Sequence, residues 1–266
     1  MIELKQVVAD LDAEGDQLDA VLAGLGPDQW ALPTPAPGWT VAHQVAHLTA
    51  TFRMAGMAAG EPAAFTAMVS RLSDDFDANV KVALSMYLTD PAAMLERWQA
   101  ERTAASEALL QAPPDKPVPW LVNPLPPHIL ASAGMMELFA HGQDIADAVG
   151  TVIERTDRIR HLTAFAVRNR DFGYLMRGQA PSTVEMRFEL VAPSGERWDF
   201  GPEDAADRIS GPAKDFCLLV TRRRHRADLA LRISGAEADR WADVAQAYRG
   251  SPGPGREPGQ FAGRGA

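Results

Sequence analysis

Apolar residues recur at helical spacing through the first 150 residues, whereas strand-like alternation begins only later. Val7, Leu11 and Leu18, for example, lie on one face of a helix. The helices predicted from this periodicity are Leu4 to Leu25, one that follows the capping residue Thr40, Pro62 to Tyr87, Pro91 to Leu110 and one that contains Gly134. The amino-terminal part of the chain therefore predicts a helical bundle, with Gly134 allowing close packing because it lacks a side chain.

The second part of the chain mixes helical and strand periodicity. Thr183 to Val191 alternates like a strand, and the turn Pro193-Ser194-Gly195 predicts a hairpin with Glu196 to Phe200. The other elements predicted here are a helix from Asp157 to Met176, a strand from Ala205 to Ile209, a helix that begins after Pro212, a strand from Asp228 to Ile233 and a helix from Ala236 to Ala247. The predicted fold class is α+β.

This change of character divides the chain into three segments. We expect a helical bundle over residues 1–150, a helix with a small α+β domain over 151–250, and a tail over 251–266. The tail is rich in glycine and proline and has too little apolar surface to order itself, so we expect it to be flexible.

A proline-rich segment, Ala112 to Pro127, joins the last two helices of the predicted bundle. Such a segment is stiff and irregular, and loops of this kind commonly border functional sites. Trp120 is therefore our candidate for a cofactor-binding residue. The alternative is that Trp120 covers the end of the bundle, because aromatic side chains pack wherever they can.

The amino-acid composition limits the classes of protein to which this chain can belong. The 266 residues are 46% hydrophobic, which suffices for a substantial core. The lone cysteine, Cys217, excludes an intramolecular disulfide, and its apolar neighbours predict that it is a buried apolar residue. A net charge of −9 argues against binding to nucleic acid or to anionic membranes. No apolar stretch approaches the roughly 20 residues of a membrane span, and the first residues are not those of a secretory signal. We therefore expect a cytoplasmic protein, monomeric or homodimeric.

Glu137 and His141 are four residues apart in a predicted helix, so a carboxylate and an imidazole share one face. With His47 from the second helix they would supply two nitrogens and one oxygen to a metal. Three protein ligands leave coordination positions open, as in catalytic metal sites. The spacing also fits a simple ion pair between Glu137 and His141. His43 and His47 are also four residues apart and share one face of the second helix, so they form a competing ligand pair. Asp144 is a candidate to orient His141.

A run of basic residues, Arg222-Arg223-Arg224-His225-Arg226, interrupts the acidic chain. At the end of a helix, cations complement the helix dipole, which gives the run a structural explanation. Guanidinium groups also suit carboxylates, so a site for an anion is the functional alternative.

The order of these motifs resembles the DinB-like metal-binding four-helix bundles. The motifs are a turn with Trp39, the pair His47-Leu48, and later Glu137 and His141. The sequence is most similar to the branch of mycothiol-dependent maleylpyruvate isomerases. The segment GPAKDFCLLVTRRR and the last helix resemble the small α+β domain, related to sterol carrier folds, that follows the bundle in that branch.

This resemblance implies a divalent metal, usually zinc, held by His47, Glu137 and His141, and a thiol cofactor such as mycothiol. It further implies that Arg222 or Arg223 holds an anionic substrate. The expected function is that of an S-transferase or isomerase that adds the thiol to an electrophilic small molecule. A thiol-independent enzyme that uses metal-bound water, and a metal- or ligand-binding protein without activity, are the alternatives.

Overall fold

The computed structural model describes residues 3–261, and the chain divides into two compact units. The first unit ends at Ile153 and the second begins at Glu154. Helices build the first unit, whereas a sheet with flanking helices builds the second, which confirms the predicted α+β class. Within residues 3–261, no helix combines the length and the hydropathy that a membrane crossing requires.

The first unit is a helical bundle. Its α-helices are α1 (Leu4–Ala23), α2 (Val41–Gly60), α3 (Pro62–Val69), α4 (Phe76–Tyr87), α5 (Pro91–Gln111) and α6 (Pro127–Val149). The long helices α1, α2, α5 and α6 pack against one another as the predicted four-helix bundle. Their apolar stripes meet in a core in which Leu11, Leu48, Trp98 and Ile145 are almost completely buried.

Gly134 marks a close approach of α6 to its neighbours. A Cβ atom at this position would lie 3.2 Å from Leu11 Cδ1 and 3.6 Å from Phe52 Cζ. The first distance is tighter than an ordinary van der Waals contact. The prediction that the missing side chain of Gly134 permits close packing is therefore confirmed.

A buried arginine ties α5 to α1. Arg102 is 8% exposed. Its guanidinium contacts Asp16 Oδ1 at 2.7 Å and Asp19 Oδ2 at 2.9 Å, and donates to the Asp12 carbonyl at 2.9 Å. It crosses α1 over Gly15, where an added Cβ would lie only 2.5 Å from the arginine side chain. Together with the hydrogen bonds from Trp98 to Asp19 and from Ser106 to Asp12, this contact fixes the relative position of the two helices.

The helix predicted over Pro62 to Tyr87 is in fact two helices, α3 and α4. The segment between them is held by side-chain bonds to the backbone: Asn79 Nδ2 donates to the Ser73 carbonyl at 2.7 Å, and Asp75 accepts from the Ala78 amide at 3.0 Å. Such local bonds compete with helical ones and favour a new helix start. The single-helix prediction was wrong because it followed only the apolar residues.

The helix predicted over Asp157 to Met176 is also interrupted. A short 3-10 turn over Asp157–Ile159 leads into α7 (Arg160–Arg168), and α8 (Phe172–Leu175) follows separately. At the break the side chain of Asn169 donates to the Phe165 carbonyl at 2.9 Å. Asparagine favours helix ends because its side chain replaces backbone partners in this way.

The second unit contains the sheet order β2-β1-β3-β4. Its elements are β1 (Met186–Val191), β2 (Arg197–Phe200), β3 (Asp207–Pro212), α9 (Ala213–Val220), β4 (Arg232–Ser234) and α10 (Ala236–Val244). The predicted hairpin is β1 with antiparallel β2, while β1 and β3 are parallel. The strand predicted over Asp228 to Ile233 is shorter than expected: Asp228 belongs to a 3-10 turn, Arg226–Asp228, and the strand begins at Arg232.

Aromatic rings form the core of the second unit. Phe188 of β1, Phe216 of α9 and Trp241 of α10 contact one another with ring centroids 5.5 to 6.1 Å apart. Cys217 is fully buried beside Thr163, with 3.4 Å between sulfur and hydroxyl, as the sequence predicted for a small apolar side chain.

The carboxy-terminal residues up to Phe261 contact other parts of the second unit. The Gly259 amide donates to the carboxylate of Asp228 at 2.9 Å, and Phe261 is buried with the Arg224 guanidinium 3.8 Å from its ring centroid. Residues 262–266 of the predicted tail lie outside the described residues. The flexibility of the tail stays a prediction.

Candidate metal centre

Three side chains from two helices converge in the first unit. His47 lies on α2, and Glu137 and His141 lie one turn apart on α6. Glu137 Oε2 is 3.4 Å from His47 Nε2 and 3.2 Å from His141 Nε2, and one ligand atom of each residue lies within 4.8 Å of the others. Among the described residues this is the group that has the composition and spacing of a metal site.

The donor set fits a small divalent cation. Two atoms bonded to one zinc ion at about 2.0–2.1 Å with tetrahedral angles lie roughly 3.3 Å apart. The two observed nitrogen–oxygen distances, 3.4 and 3.2 Å, bracket that value. The imidazole rings are only 4.5 Å apart between centroids, so two protonated histidines here would repel each other, and the single charge of Glu137 would offset only part of that repulsion. A single cation satisfies all three lone pairs without this repulsion.

Glu137 is held as an anion. Burial raises the pKa of its carboxyl, but hydrogen bonds from His141 and His47, together with their positive charge, lower it by more. The net result is a pKa well below the usual range of glutamate. The Glu137 side chain is 20% exposed, so part of it is open to solvent.

Trp39 covers the two imidazoles. Its ring lies 5.3 Å from that of His47 and stacks on that of His141 at 5.9 Å, with an angle of 18° between the planes. The turn that carries it is closed by an antiparallel bridge between Pro33 and Thr40, directly before α2 begins. The indole therefore restricts the movement of both rings and shields one side of the cluster from water.

His43 has a different structural role from His47. Its Nδ1 accepts from the Thr40 amide at 3.3 Å and lies 2.8 Å from the Thr40 hydroxyl. The two residues thus form a reciprocal cap at the start of α2. The competing pair of His43 and His47 is not brought together as a ligand set.

The ring of His141 is oriented by a residue that sequence reasoning missed. His141 Nδ1 lies 2.5 Å from Gln44 Oε1, and Gln44 Nε2 in turn lies 3.5 Å from Oδ2 of Asp144, the predicted orienting residue. Gln44 precedes His47 by three residues and so shares its face of α2. The signal for Gln44 in the sequence was a polar side chain next to Val45, among the apolar positions of α2.

Trp120, the candidate for cofactor binding, lies in the proline-rich loop of the first unit. Its ring stacks on that of Phe65 from α3, with centroids 5.7 Å apart and planes 6° from parallel. One face of the indole is therefore occupied by the protein. Its role in cofactor binding stays a prediction.

Arg222 and Arg223, the candidates for substrate binding, lie in the second unit directly after α9. Arg222 has a left-handed backbone, φ 59°, and its Nε donates to the Pro252 carbonyl at 3.0 Å. The Arg223 amide donates to the Leu218 carbonyl, which closes the helix in a Schellman motif. Arg223 is also buried, and Nη1 donates to the Thr221 carbonyl at 2.6 Å. The role of both arginines in substrate binding stays a prediction.

Comparison with known proteins agrees with the resemblance seen in the sequence. The chain is 41% identical over 250 residues to two Mycobacterium tuberculosis proteins, Uncharacterized protein Rv0036c and Uncharacterized protein MT0041, covering 94% of this chain and 97% of each relative. The crystal structure of the mycothiol-dependent maleylpyruvate isomerase matches with a TM-score of 0.56 at 12% identity, over 82% of this chain and 88% of that one. At this identity the match shows a shared fold.

Family comparison covers both units. Residues 183–232 match the family described as Wyosine base formation, a short region of the second unit. Residues 11–146, which contain all three residues of the metal cluster, match the family described as Mycothiol maleylpyruvate isomerase N-terminal domain. The chain belongs to this mycothiol maleylpyruvate isomerase N-terminal domain family.

Proposed function

We propose that this protein is a metal-dependent enzyme that uses a low-molecular-weight thiol, such as mycothiol, as nucleophile on an electrophilic small molecule. The reaction is that of an S-transferase or an isomerase. The observation that carries the proposal is the convergence of His47 Nε2, His141 Nε2 and Glu137 Oε2 in a chain of this family. The proposed location is the cytoplasm, and the proposed partners are the thiol and its small-molecule substrate.

His47, Glu137 and His141 would hold the metal, for which we propose zinc. Two neutral imidazoles and one carboxylate leave open coordination positions, as catalytic zinc sites do. When bound, the metal supplies a positive charge that favours the deprotonated, nucleophilic form of a thiol at neutral pH.

The surrounding residues support this chemistry. Glu137 carries the negative charge that offsets part of the charge of the cation, and its 20% exposure leaves an approach for the thiol. Trp39 packs on both imidazoles and keeps water from one side of the cluster. We further propose that Arg222 or Arg223 binds an anionic group of the substrate and that Trp120 contacts the thiol cofactor.

Addition of mycothiol should stabilise the metal-loaded protein and leave the metal-stripped protein unaffected. A ligand that binds only the native state raises the free energy of unfolding by about 2.7 kcal/mol at 100 times its Kd. Thermal unfolding with increasing mycothiol measures this effect in both forms of the protein. S-methylated mycothiol is the matched control, because it keeps the size of the ligand but cannot form a thiolate.

An equal rise in Tm with and without metal would contradict the proposed role of the metal in thiol binding. A metal-loaded protein that ignores the thiol but converts an electrophile would point to metal-bound water as the nucleophile. A metal-loaded protein that ignores both would point to a binding protein without activity.

A further inference from the structure

Gln44 is a fully buried amide that lies against the metal cluster. Its exposed fraction is 0%, and the neighbouring Val41, Val45 and Leu48 of α2 are buried as well. The amide nitrogen donates to Thr34 Oγ1 at 2.9 Å, while Oε1 lies 2.5 Å from His141 Nδ1. A buried amide without hydrogen-bond partners costs free energy, so buried amides are found where neighbouring donors and acceptors are positioned to bond with them.

The Trp39 carbonyl determines which group donates and which accepts in each of these hydrogen bonds. The Trp39 carbonyl can only accept, so the Thr34 hydroxyl, 2.9 Å away, donates to it. The Thr34 oxygen must then accept from Gln44, and only the amide nitrogen of Gln44 can donate. Gln44 Oε1 is thereby turned toward His141, where it can only accept. The proton on this side of the imidazole is carried by His141 Nδ1.

We infer that Gln44 is a positioning residue that holds the proton of His141 on Nδ1 and so presents Nε2 to the cluster. His141 Nε2 is the nitrogen that lies 3.2 Å from Glu137 Oε2. A histidine ligand is commonly fixed in this way by an acceptor on its other nitrogen, and loss of such an acceptor typically weakens metal binding by about 10–100-fold. The consequence for metal affinity rests on the proposed function, whereas the position of the proton does not.

The Gln44→Leu variant tests this role. We expect its affinity for Zn²⁺, measured by competition with a chromophoric chelator, to fall by about 10–100-fold although all three ligands are present. Thr49→Val is the matched control: Thr49 is also buried on α2, but its hydroxyl donates to the Val45 carbonyl of its own helix at 2.8 Å. This control should bind Zn²⁺ like the wild type. A Gln44→Leu protein with wild-type affinity would overturn the inference.

The position of the proton is tested separately in the wild type, without any variant that must fold. Histidine-selective ¹⁵N–¹H correlation spectra of the metal-free protein should show a proton on His141 Nδ1. An unprotonated Nδ1 would overturn the inference. A wild type that binds no Zn²⁺ but has this proton would refute the proposed metal function and leave the role of Gln44 in orienting His141 intact.

Discussion

Replacement of His47 or His141 by alanine is expected to reduce the metal content of the purified protein from about one ion per chain to near none. Each variant removes one of three protein ligands, and the two that remain cannot hold a divalent ion through purification. The bundle itself should persist, because both side chains are partly exposed and lie at the margin of the core. Elemental analysis measures the metal, and far-ultraviolet circular dichroism reports the helices.

His43→Ala is the matched control for these two variants. His43 lies on the same helix as His47, but it caps α2. Its loss should cost about 1 kcal/mol of stability and leave the metal content unchanged. Full metal occupancy in both His47→Ala and His141→Ala would contradict the assignment of the ligands.

Replacement of Arg102 by alanine is expected to lower the free energy of unfolding by about 3 kcal/mol, the lower end of the range for breaking a buried ion pair. The side chain of Arg102 is 9% exposed, and its guanidinium contacts Asp16 and Asp19 of α1. Its removal leaves Asp19, which is 15% exposed, without its cation. The cost stays at the lower end because the Trp98 indole still donates to Asp19 at 2.6 Å. Guanidinium chloride unfolding of the metal-loaded protein measures the change.

Arg97→Ala is the control for Arg102→Ala, on the same helix. Arg97 is 52% exposed and pairs with Glu101 one turn away, so its loss should change stability by no more than about 0.5 kcal/mol. If both variants had the same small effect, the contact of Arg102 with α1 would not be a principal link between the two helices.

The regular parts of the fold were predictable because each carries a local signal. Thr40 begins α2 as the predicted capping residue, and the turn Pro193-Ser194-Gly195 joins β1 to β2. The long apolar stripes place α1 and α5 within a few residues of their predicted ends. These features depend on neighbours in sequence, which a pattern of apolar positions records directly.

The interruptions of helices could not be predicted from that pattern. The break before α4 depends on hydrogen bonds of Ser73, Asp75 and Asn79, and the break after α7 on that of Asn169. These are small polar residues whose side chains bond to nearby backbone groups only in one local conformation. Apolar periodicity continues across both breaks and so hides them.

The candidate site was predictable to a similar degree. The spacing of Glu137 and His141 placed both on one face, but spacing alone favoured the pair of His43 and His47 equally. Family resemblance favoured His47, and the structure brings it to 3.4 Å from Glu137. The contact of Gln44 with His141 joins residues 97 positions apart in the chain, so no local pattern reports it.

The measurement that tests the central claim most directly is the absorption spectrum of the Co²⁺-loaded protein during titration with mycothiol. A thiolate bound to Co²⁺ gives a sulfur-to-metal charge-transfer band in the near ultraviolet, and thiolates are favoured ligands for such borderline metals. If His47, Glu137 and His141 hold a metal that binds the thiol, this band should appear and saturate at about one thiol per metal. A spectrum that keeps its metal bands unchanged throughout the titration would contradict the claim.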